Sequence, residues 1–360
     1  MSLRVRLPAL LLAIISSAAA HAAPLYKVTR LSEAASSAYV TDLNNAGQAI
    51  GAAGAGRYLW TSTGATRLDD NFSASGINRH GVVAGTLFDT SGWNYEGVTY
   101  QNGTYTRLGT LTQEPPQSAA TAINDNGVVV GWSRYEDMFS GQTVRFGANG
   151  PVSLHLPLDA DSPTGINASG TIVGKYNYED PFEAIFVQRT YLYQNGKLTS
   201  LPLLGNDDVI GSAINDANTV VGAITYYAGG WAPFLYANGV VTPLATPGGA
   251  YGWADDINNA GQVVGRFGDT SNLGHAFLFD GGASYDIDTL LAPGSGLTIK
   301  SASAINDLGQ IGGEGCDTAG NCYAVLLSPV PEPTTWGMWL AGVGVIGCLA
   351  RRRHAAGLSG

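Results

Sequence analysis

The central part of the chain consists of short apolar runs separated by polar turn residues, and this pattern repeats. The repeated motif is Ile or Leu, then Asn, two further residues, Gly, three further residues and a second Gly. Its asparagines are separated by 34, 46, 43, 48, 43 and 48 residues, and they are Asn44, Asn78, Asn124, Asn167, Asn215, Asn258 and Asn306. Regular recurrence at this period indicates a fold built from internal repeats.

Each copy of the motif predicts a tight β-hairpin. The Asn side chain can bond to the backbone two residues further on, which starts a turn. The first Gly supplies the positive φ that closes a short hairpin loop. In the fifth copy this place is taken by Asn218, and Asn tolerates the left-handed region better than other non-glycine residues. The run that follows, such as Val128–Val130, is β-branched and predicts a buried strand.

A second hairpin follows each turn motif. It has an aromatic strand such as Tyr191–Tyr193, a glycine turn such as Gly196, and a short strand that ends in a leucine such as Leu201. One unit therefore has four short strands, which is typical of a β-propeller blade. We predict an all-β fold in which residues 24–328 form a seven-bladed β-propeller of four-stranded repeats. An open stack of hairpins is the alternative.

The two ends of the repeat region predict how the propeller closes. The seventh unit has its aromatic strand, Tyr323–Leu327, but no strand ending in leucine follows it. An extra strand, Leu25–Leu31, lies at the other end of the region. Because pairing these two strands would remove two exposed sheet edges, we expect the chain ends to exchange strands in the last blade.

Residues 1–23 have the three parts of a secretory signal peptide. Arg4 and Arg6 precede an apolar stretch, and Ala20-His21-Ala22 forms a cleavage site before Ala23. A short buried helix is the alternative interpretation. We predict export, and with it an oxidising compartment in which Cys316 and Cys322 form a disulfide.

The C-terminal segment combines a proline-rich break, an apolar run and a basic cluster. Pro331, Glu332 and Pro333 precede residues 334–350, which carry no charge, and Arg351, Arg352 and Arg353 follow. The run is long enough for a marginal transmembrane helix, with the arginines on the cytoplasmic side. Residues 329–360 are therefore predicted to be a membrane-inserted tail. A buried helix and a plain single-span anchor are the alternatives.

Two families share these features. The order of Pro-Glu-Pro, apolar segment and arginines resembles the PEP-CTERM sorting signal of Gram-negative bacteria, which implies processing by the membrane transpeptidase exosortase and an association with exopolysaccharide. The turn motif, together with Gly274-His275-Ala276-Phe277, resembles HAF-type extracellular repeats. The second resemblance implies little about activity.

Composition and charge narrow the function. Of 360 residues only 13% are charged and 49 are Gly, which suits a turn-rich β protein. The net charge of -10 gives no basic face for nucleic acid. No metal-ligand, nucleophile-elbow or phosphate-loop motif is present, so we predict no catalytic residues, metal or cofactor. The pairs Asp207–Asp208 and Asp255–Asp256 are interpreted as charges on solvated loops, and the seven turn asparagines as structural.

Aromatic residues cluster after the second strand of several units and are candidates for contact with sugar rings. The candidate glycan-binding residues are Trp93, Tyr95, Trp132, Tyr176, Tyr178, Tyr226 and Trp231. Packing between blades is the alternative role, because large aromatic side chains bury much apolar area. We predict a non-catalytic binding or scaffold protein of the cell envelope, with exosortase, the membrane and an extracellular polysaccharide as partners. A polysaccharide-degrading enzyme and a structural spacer remain as alternatives.

Overall fold

A computed structural model describes residues 24–90, 94–112, 117–134, 141–156, 160–179, 186–204, 207–227, 229–269 and 273–331. The predicted signal peptide and cleavage site lie outside these ranges, as do Trp93, Glu332, Pro333, the apolar segment 334–350 and Arg351–Arg353. Across the described ranges no helix is long and apolar enough to cross a bilayer.

The described residues form an almost entirely β structure with two short 3-10 helices, Pro247–Gly249 and Ile287–Leu290. The strands are β1 (Tyr26–Arg30), β2 (Ala38–Leu43), β3 (Ala49–Ala53), β4 (Gly56–Thr61), β5 (Gly64–Arg67), β6 (Phe72–Ile77), β7 (Val83–Phe88), β8 (Tyr95–Gln101), β9 (Thr104–Arg107), β10 (Ser118–Ile123), β11 (Val129–Arg134), β12 (Gly141–Gly147), β13 (Gly150–Ser153), β14 (Ala160–Ile166), β15 (Ile172–Glu179), β16 (Phe186–Gln194), β17 (Lys197–Ser200), β18 (Asp208–Ile214), β19 (Val220–Thr225), β20 (Trp231–Ala237), β21 (Val240–Pro243), β22 (Tyr251–Ile257), β23 (Val263–Gly268), β24 (His275–Asp280), β25 (Ala283–Asp286), β26 (Thr298–Ile305), β27 (Ile311–Cys316) and β28 (Cys322–Pro329).

Consecutive strands pair antiparallel in groups of four, which is the repeat that the sequence predicts. We number the groups as units 1 to 6 from β2–β5 to β22–β25, and unit 7 contains β26, β27, β28 and β1. Units 4 and 5 join into one eight-stranded sheet through a single parallel pair, Arg189 and Val209, and the other units are separate four-stranded sheets. Apolar clusters lie between neighbouring units. Val264 and Leu278 of unit 6, for example, are buried together with Ile299 and Val325 of unit 7.

The first strand of every unit carries a β-bulge shortly before its asparagine. The register shifts are Val40/Asp42, Ala74/Gly76, Ala120/Ala122, Pro163/Gly165, Gly211/Ala213, Ala254/Asp256 and Ala302/Ala304. The extra residue is Thr, Ser or, in unit 6, Asp255. The hydroxyl of Thr121 donates to Pro163 O of the next unit at 2.7 Å, and that of Thr164 donates to Gly211 O at 3.1 Å. The bulges thus redirect side chains into bonds between units.

The bulge also explains the second glycine of the repeated motif. In unit 3 a Cβ on Gly131 would lie 1.8 Å from Ala119 O, and in unit 6 a Cβ on Gly265 would lie 2.0 Å from Trp253 O. Neither backbone can accept a side chain there without moving. The first glycine has a different cause, because it requires a positive φ, as at Gly127 with φ 77°.

The turn asparagines join the units into a closed ring of hydrogen bonds. Each Oδ1 accepts from the backbone N–H four residues further on, as from Val128 N to Asn124 at 2.9 Å. Each Nδ2 donates to the carbonyl of the next asparagine, and Asn306 donates to Asn44 O at 3.0 Å, which closes the ring. The seven bonds run Asn44 to Asn78, to Asn124, to Asn167, to Asn215, to Asn258, to Asn306 and back to Asn44.

The N-terminal strand completes the last unit, so the predicted strand exchange is confirmed. Val28 lies opposite Leu327 and Arg30 opposite Val325. Beyond the strand ends, Leu31 N donates to Ala324 O at 2.8 Å and Val330 N donates to Leu25 O at 2.7 Å. The edge of β28 is therefore covered from end to end, and both described chain ends lie side by side.

Replacing one ring asparagine should cost far more stability than replacing its exposed neighbour. Asn124→Ala removes the acceptor for Asn126 N and Val128 N and the donor to Asn167 O. We expect a loss of about 3 kcal/mol in the free energy of unfolding, because buried backbone groups lose their partners. Asn126→Ala removes one exposed bond, to Ala168 O, and should cost under about 1 kcal/mol. Urea denaturation measures both values, and equal losses would contradict a stabilising role for the ring.

Candidate functional sites: the asparagine channel and the aromatic face

The alternation of strands gives the molecule two faces. The turns after first strands and after third strands lie on one face, which we call the asparagine face. Gln101 Nε2 of a third-strand turn donates there to His80 O of a first-strand turn at 3.2 Å. The loops after second strands and the connections between units lie on the other, which we call the aromatic face. Tyr95 and Gln117 pair on that side.

A polar cavity of about 200 Å³ opens at the centre of the asparagine face, and we call it the asparagine channel, or simply the channel. Six of the seven ring asparagines, all except Asn78, line it together with neighbouring residues of the chain, and the lining residues include no Lys, Arg or His. Asp42 and Asp256 occupy positions where the other five units carry Gly or Ala. The lining therefore contains the partly buried carboxylates of Asp42 and Asp256 and no basic side chain.

Both carboxylates bridge neighbouring units. Asp42 accepts from Leu43 N and, across the unit boundary, from Ile77 N, each at 2.7 Å. Asp256 accepts from Ile257 N and Ile305 N, each at 2.8 Å. The interpretation of Asp255–Asp256 as a solvated pair is wrong, because both residues belong to β22 and the bulge lets successive side chains reach buried positions.

Burial dominates the proton affinity of these acids. It raises the pKa of Asp42 to about 6. Burial, reinforced by the negative charge of Asp42, raises the pKa of Asp256 to about 7. Burial also raises the pKa of Asp255 to about 6, although Arg266 Nη2 lies 3.2 Å from its Oδ1 and opposes the shift. Each of these acids therefore holds its proton to a higher pH in the folded protein than in the unfolded chain.

The rim of the cavity contains further carboxylates that act as cross-links. Asp125 Oδ1 accepts from Arg79 N at 2.7 Å, Asp216 Oδ1 from Ala168 N at 2.8 Å, and Asp307 Oδ1 from Asn259 N at 2.9 Å. Each bond joins one turn to the next turn around the ring. These acids stabilise the same ring as the asparagines, one residue further along the chain.

Two acidic groups lie away from the channel. Asp207 Oδ1 accepts from Tyr227 N at 3.0 Å, and burial raises the pKa of Asp208. In unit 6, His275 Nδ1 lies 3.9 Å from Asp288 Oδ2, while Asp288 Oδ1 accepts from Ile299 N. In both groups a carboxylate joins two segments of the chain by accepting a hydrogen bond from a backbone N–H.

The candidate glycan-binding residues fall into three classes. Trp93 and the Tyr178 side chain lie outside the part of the chain whose side chains are described. Tyr176 is only 3% exposed, and its ring packs against Tyr191, so it is not available to a ligand at the surface. The remaining four, Tyr95, Trp132, Tyr226 and Trp231, are partly exposed.

The exposed rings form two pairs on the aromatic face. Tyr95 packs edge-on against Trp132, with ring centres 5.6 Å apart. Trp231 packs edge-on against Tyr251 at 6.4 Å. Tyr226 packs against the core of units 4 and 5, while the adjacent Tyr227 is 80% exposed. Sequence reasoning noted Tyr227 beside Tyr226 but passed over Tyr251, because the pairing of Tyr251 with Trp231 depends on the loop conformation.

Cys316 and Cys322 are joined by a disulfide. They are opposite residues of β27 and β28, with Cα atoms 4.0 Å apart. The bond closes the hairpin just before β28 pairs with β1, so it lies in the unit where the two chain ends meet.

Comparison with protein families finds two matches. The PEP-CTERM protein-sorting motif matches residues 329–353. The family described as protein of unknown function (DUF3466) matches residues 160–322, which correspond to units 4 to 7 up to the start of β28. No curated protein matches the chain.

Solved structures with a similar fold include a β-propeller domain. The β-propeller domain of the Trilobed protease from Pyrococcus furiosus, described as having an open velcro topology, aligns with a TM-score of 0.55 at 10% identity, over 81% of this chain and 93% of that one. YCF48 from Cyanidioschyzon merolae aligns with a TM-score of 0.51 at 12% identity, over 85% of this chain and 99% of that one. A chain of the Mitotic Checkpoint Complex aligns with a TM-score of 0.50 at 12% identity, over 92% of this chain and 100% of that one. These likenesses establish a propeller-like fold and no activity.

The buried acids of the channel should make stability fall as the pH rises. The pKa of Asp256 is about 7 in the folded state and about 4 in an unfolded chain. The folded state therefore binds more protons between these values, and its stabilisation is lost as the pH rises through 7. Asp256→Ala introduces the residue found at the equivalent position of three other units, and it should flatten the profile between pH 4 and pH 7.5 by at least about 1 kcal/mol.

The matched control is Asp70→Ala, which removes the same charge from an exposed position. Chemical denaturation at a series of pH values gives the three profiles. If the profile of Asp256→Ala runs parallel to that of the unmodified protein, the proton is not held at Asp256.

Proposed function

We propose that the chain is an exported cell-envelope protein in which a seven-bladed, non-catalytic propeller is presented outside the cell by an exosortase-processed tail. The observation that carries the proposal is the sorting motif, which begins at Pro329, the last residue of β28. No chain separates the folded body from the signal. Seven ring bonds, one per unit, support the blade number.

The geometry of the closing unit suits processing at this place. β28 is already paired with β27 and β1, and Val330 is tied to Leu25. Cleavage beyond Val330 would therefore remove no strand of the propeller. The tail has the features of a transient membrane segment: it is short, its glycines at 337, 342, 344 and 347 weaken a helix, and its arginines fix orientation. Glu332 is the natural contact for a basic residue of the enzyme.

A scaffold role fits the channel better than a catalytic one. The carboxylates of Asp42 and Asp256 each accept two backbone N–H bonds, and the ring asparagines use their amides within the ring. Acid–base catalysis needs carboxyl groups that face a substrate. An enzyme that degrades polysaccharide remains the alternative.

An epitope tag placed after Gly360 tests the sorting proposal. In cells with exosortase we expect the mature surface protein to lose the tag and several kilodaltons of tail, and in cells without the enzyme to keep both. Replacing Pro331, Glu332 and Pro333 together by Ala should prevent loss of the tag. The control Pro329→Ala leaves the tripeptide intact, so the tag should still be lost. If the surface protein keeps its tag in both strains, the tail is a plain anchor.

The exposed aromatic pairs make an extracellular polysaccharide the candidate ligand. Flat rings suit the C–H faces of sugars. In unit 5, Tyr227 lies in the loop between β19 and β20, and Trp231 is the first residue of β20. We expect Tyr227→Ala with Trp231→Ala to weaken retention on immobilised exopolysaccharide about tenfold, which corresponds to about 1.4 kcal/mol. Val240→Ala changes an exposed apolar residue of the same unit on the asparagine face, and it should have no effect.

The same assay separates the alternatives. Release of reducing sugar from the polysaccharide by the unmodified protein would favour the enzyme. No retention of any polysaccharide by the unmodified protein would remove glycan binding and leave the spacer.

A further inference from the structure

One turn of the asparagine face differs from the other six. The residue two positions after each ring asparagine lies at the tip of its turn, and in unit 7 it is Leu308, which is 63% exposed. The equivalent residues are small or polar: Ala46, His80, Asn126, Ser169, Ala217 and Ala260. A large apolar side chain held in water by a tight turn loses the stabilisation that burial would give it. Nothing in the repeated turn chemistry requires leucine here.

Leu308 lies at the corner where the folded chain ends. A Cβ on the adjacent Gly309 would be 3.4 Å from the Pro329 ring, so this turn packs beside the end of β28. Leu25 is 43% exposed and Val330 is 36% exposed, and Val330 N donates to Leu25 O. We call Leu25, Leu308 and Val330 the tail-base patch.

The length of chain between this patch and the tail limits where the patch can be. Three residues lie between Val330 and Thr334, where the uncharged segment begins, so four Cα–Cα steps join the two positions. Fully extended, they span at most about 14 Å. If the tail is inserted in the bilayer, as the proposed function requires, Val330 lies within that distance of the lipid surface until the tail is cleaved, and the rest of the patch lies beside it.

The charges near the patch allow such an approach. Lys27, exposed near the start of β1, is a cation that anionic headgroups attract. Asp307, beside Leu308, is an anion, and its carboxylate is held toward the neighbouring turns by Asn259 N at 2.9 Å and Asn45 Nδ2 at 3.0 Å. Three apolar side chains bind a bilayer weakly on their own, but a three-residue tether gives a high effective concentration, so a weak contact suffices.

We propose that the tail-base patch rests on the lipid surface while the tail is uncleaved, so that the asparagine face is turned toward the membrane and the aromatic face away from it. The proposal rests on the proposed function only through insertion of the tail. It adds an orientation: the aromatic pairs point outward, toward extracellular ligands, before the enzyme acts. The mouth of the channel meanwhile faces the bilayer.

Site-specific quenching in membranes tests this orientation. The full chain, with Cys348→Ser, is reconstituted into vesicles of phosphatidylethanolamine and phosphatidylglycerol and labelled with a small fluorophore at Leu308→Cys. Two matched positions are Ala217→Cys, which is the same turn position in unit 5, and Tyr227→Cys on the aromatic face. Lipids with a nitroxide near the headgroup should quench the probe at 308 at least about threefold more than the probe at 227, with 217 below 308. Equal melting temperatures show that the labelled variants are folded.

Other outcomes are distinguishable. If a carbonate wash strips the chain from the vesicles, tail insertion fails and this inference fails with it. If the chain is retained but 308 is quenched no more than 227 or no more than 217, the tail is inserted and the patch does not rest on lipid. Quenching at 308 only when exosortase is co-reconstituted would assign the patch to the enzyme and overturn the lipid contact.

Discussion

The ring of asparagine hydrogen bonds is the constraint on which the other features depend. One side chain closes its own turn by accepting from the backbone and joins the next unit by donating to a carbonyl, as Asn124 does toward Asn167. Asp could accept but not donate, and Ser is too short to do both. The asparagine side chains are buried, so a backbone group that lost its bond to one of them would have no water molecule to replace it. The unit is therefore defined by its asparagine, and closure occurs where the last asparagine reaches the first.

The bulges and the two motif glycines follow from that ring. To bring seven turns to one centre, each first strand must bend inward, and a bulge provides the bend and leaves one extra residue. The bend brings the carbonyl of Ala119 against Gly131 and that of Trp253 against Gly265, so no side chain fits there. The two glycines of one motif thus have separate causes, which are a positive φ in the turn and a close backbone approach in the strand.

Sequence reasoning succeeded where the chemistry is local and failed where it is not. The hairpin turns, the four-strand repeat and the pairing of β1 with β28 could be predicted, because turn residues and unmatched strands are visible along the chain. The ring could not, because its donors and acceptors are 34 to 48 residues apart or, at closure, 262. Asp256 was misassigned for a related reason, since a bulge breaks the alternation from which burial is inferred. Glycan contact and packing were both open for Tyr176, which is buried, and the sequence could not decide because loop and interface aromatics have the same pattern.

The position of the closing strand links folding to export. Unit 7 needs β1, which leaves the membrane first, and β28, which ends at Pro329, where the sorting motif begins. The ring and the last sheet therefore cannot close until the whole ectodomain has been translocated. If the apolar segment of the tail stops in the bilayer directly after β28, as the proposed function requires, it holds the chain at the moment when every strand has become available. Closure then needs only the pairing of two neighbouring chain ends, and the Cys316–Cys322 disulfide already fixes the hairpin that receives β1. A tail placed earlier would retain part of unit 7, and a long spacer would separate the finished propeller from the enzyme that processes it.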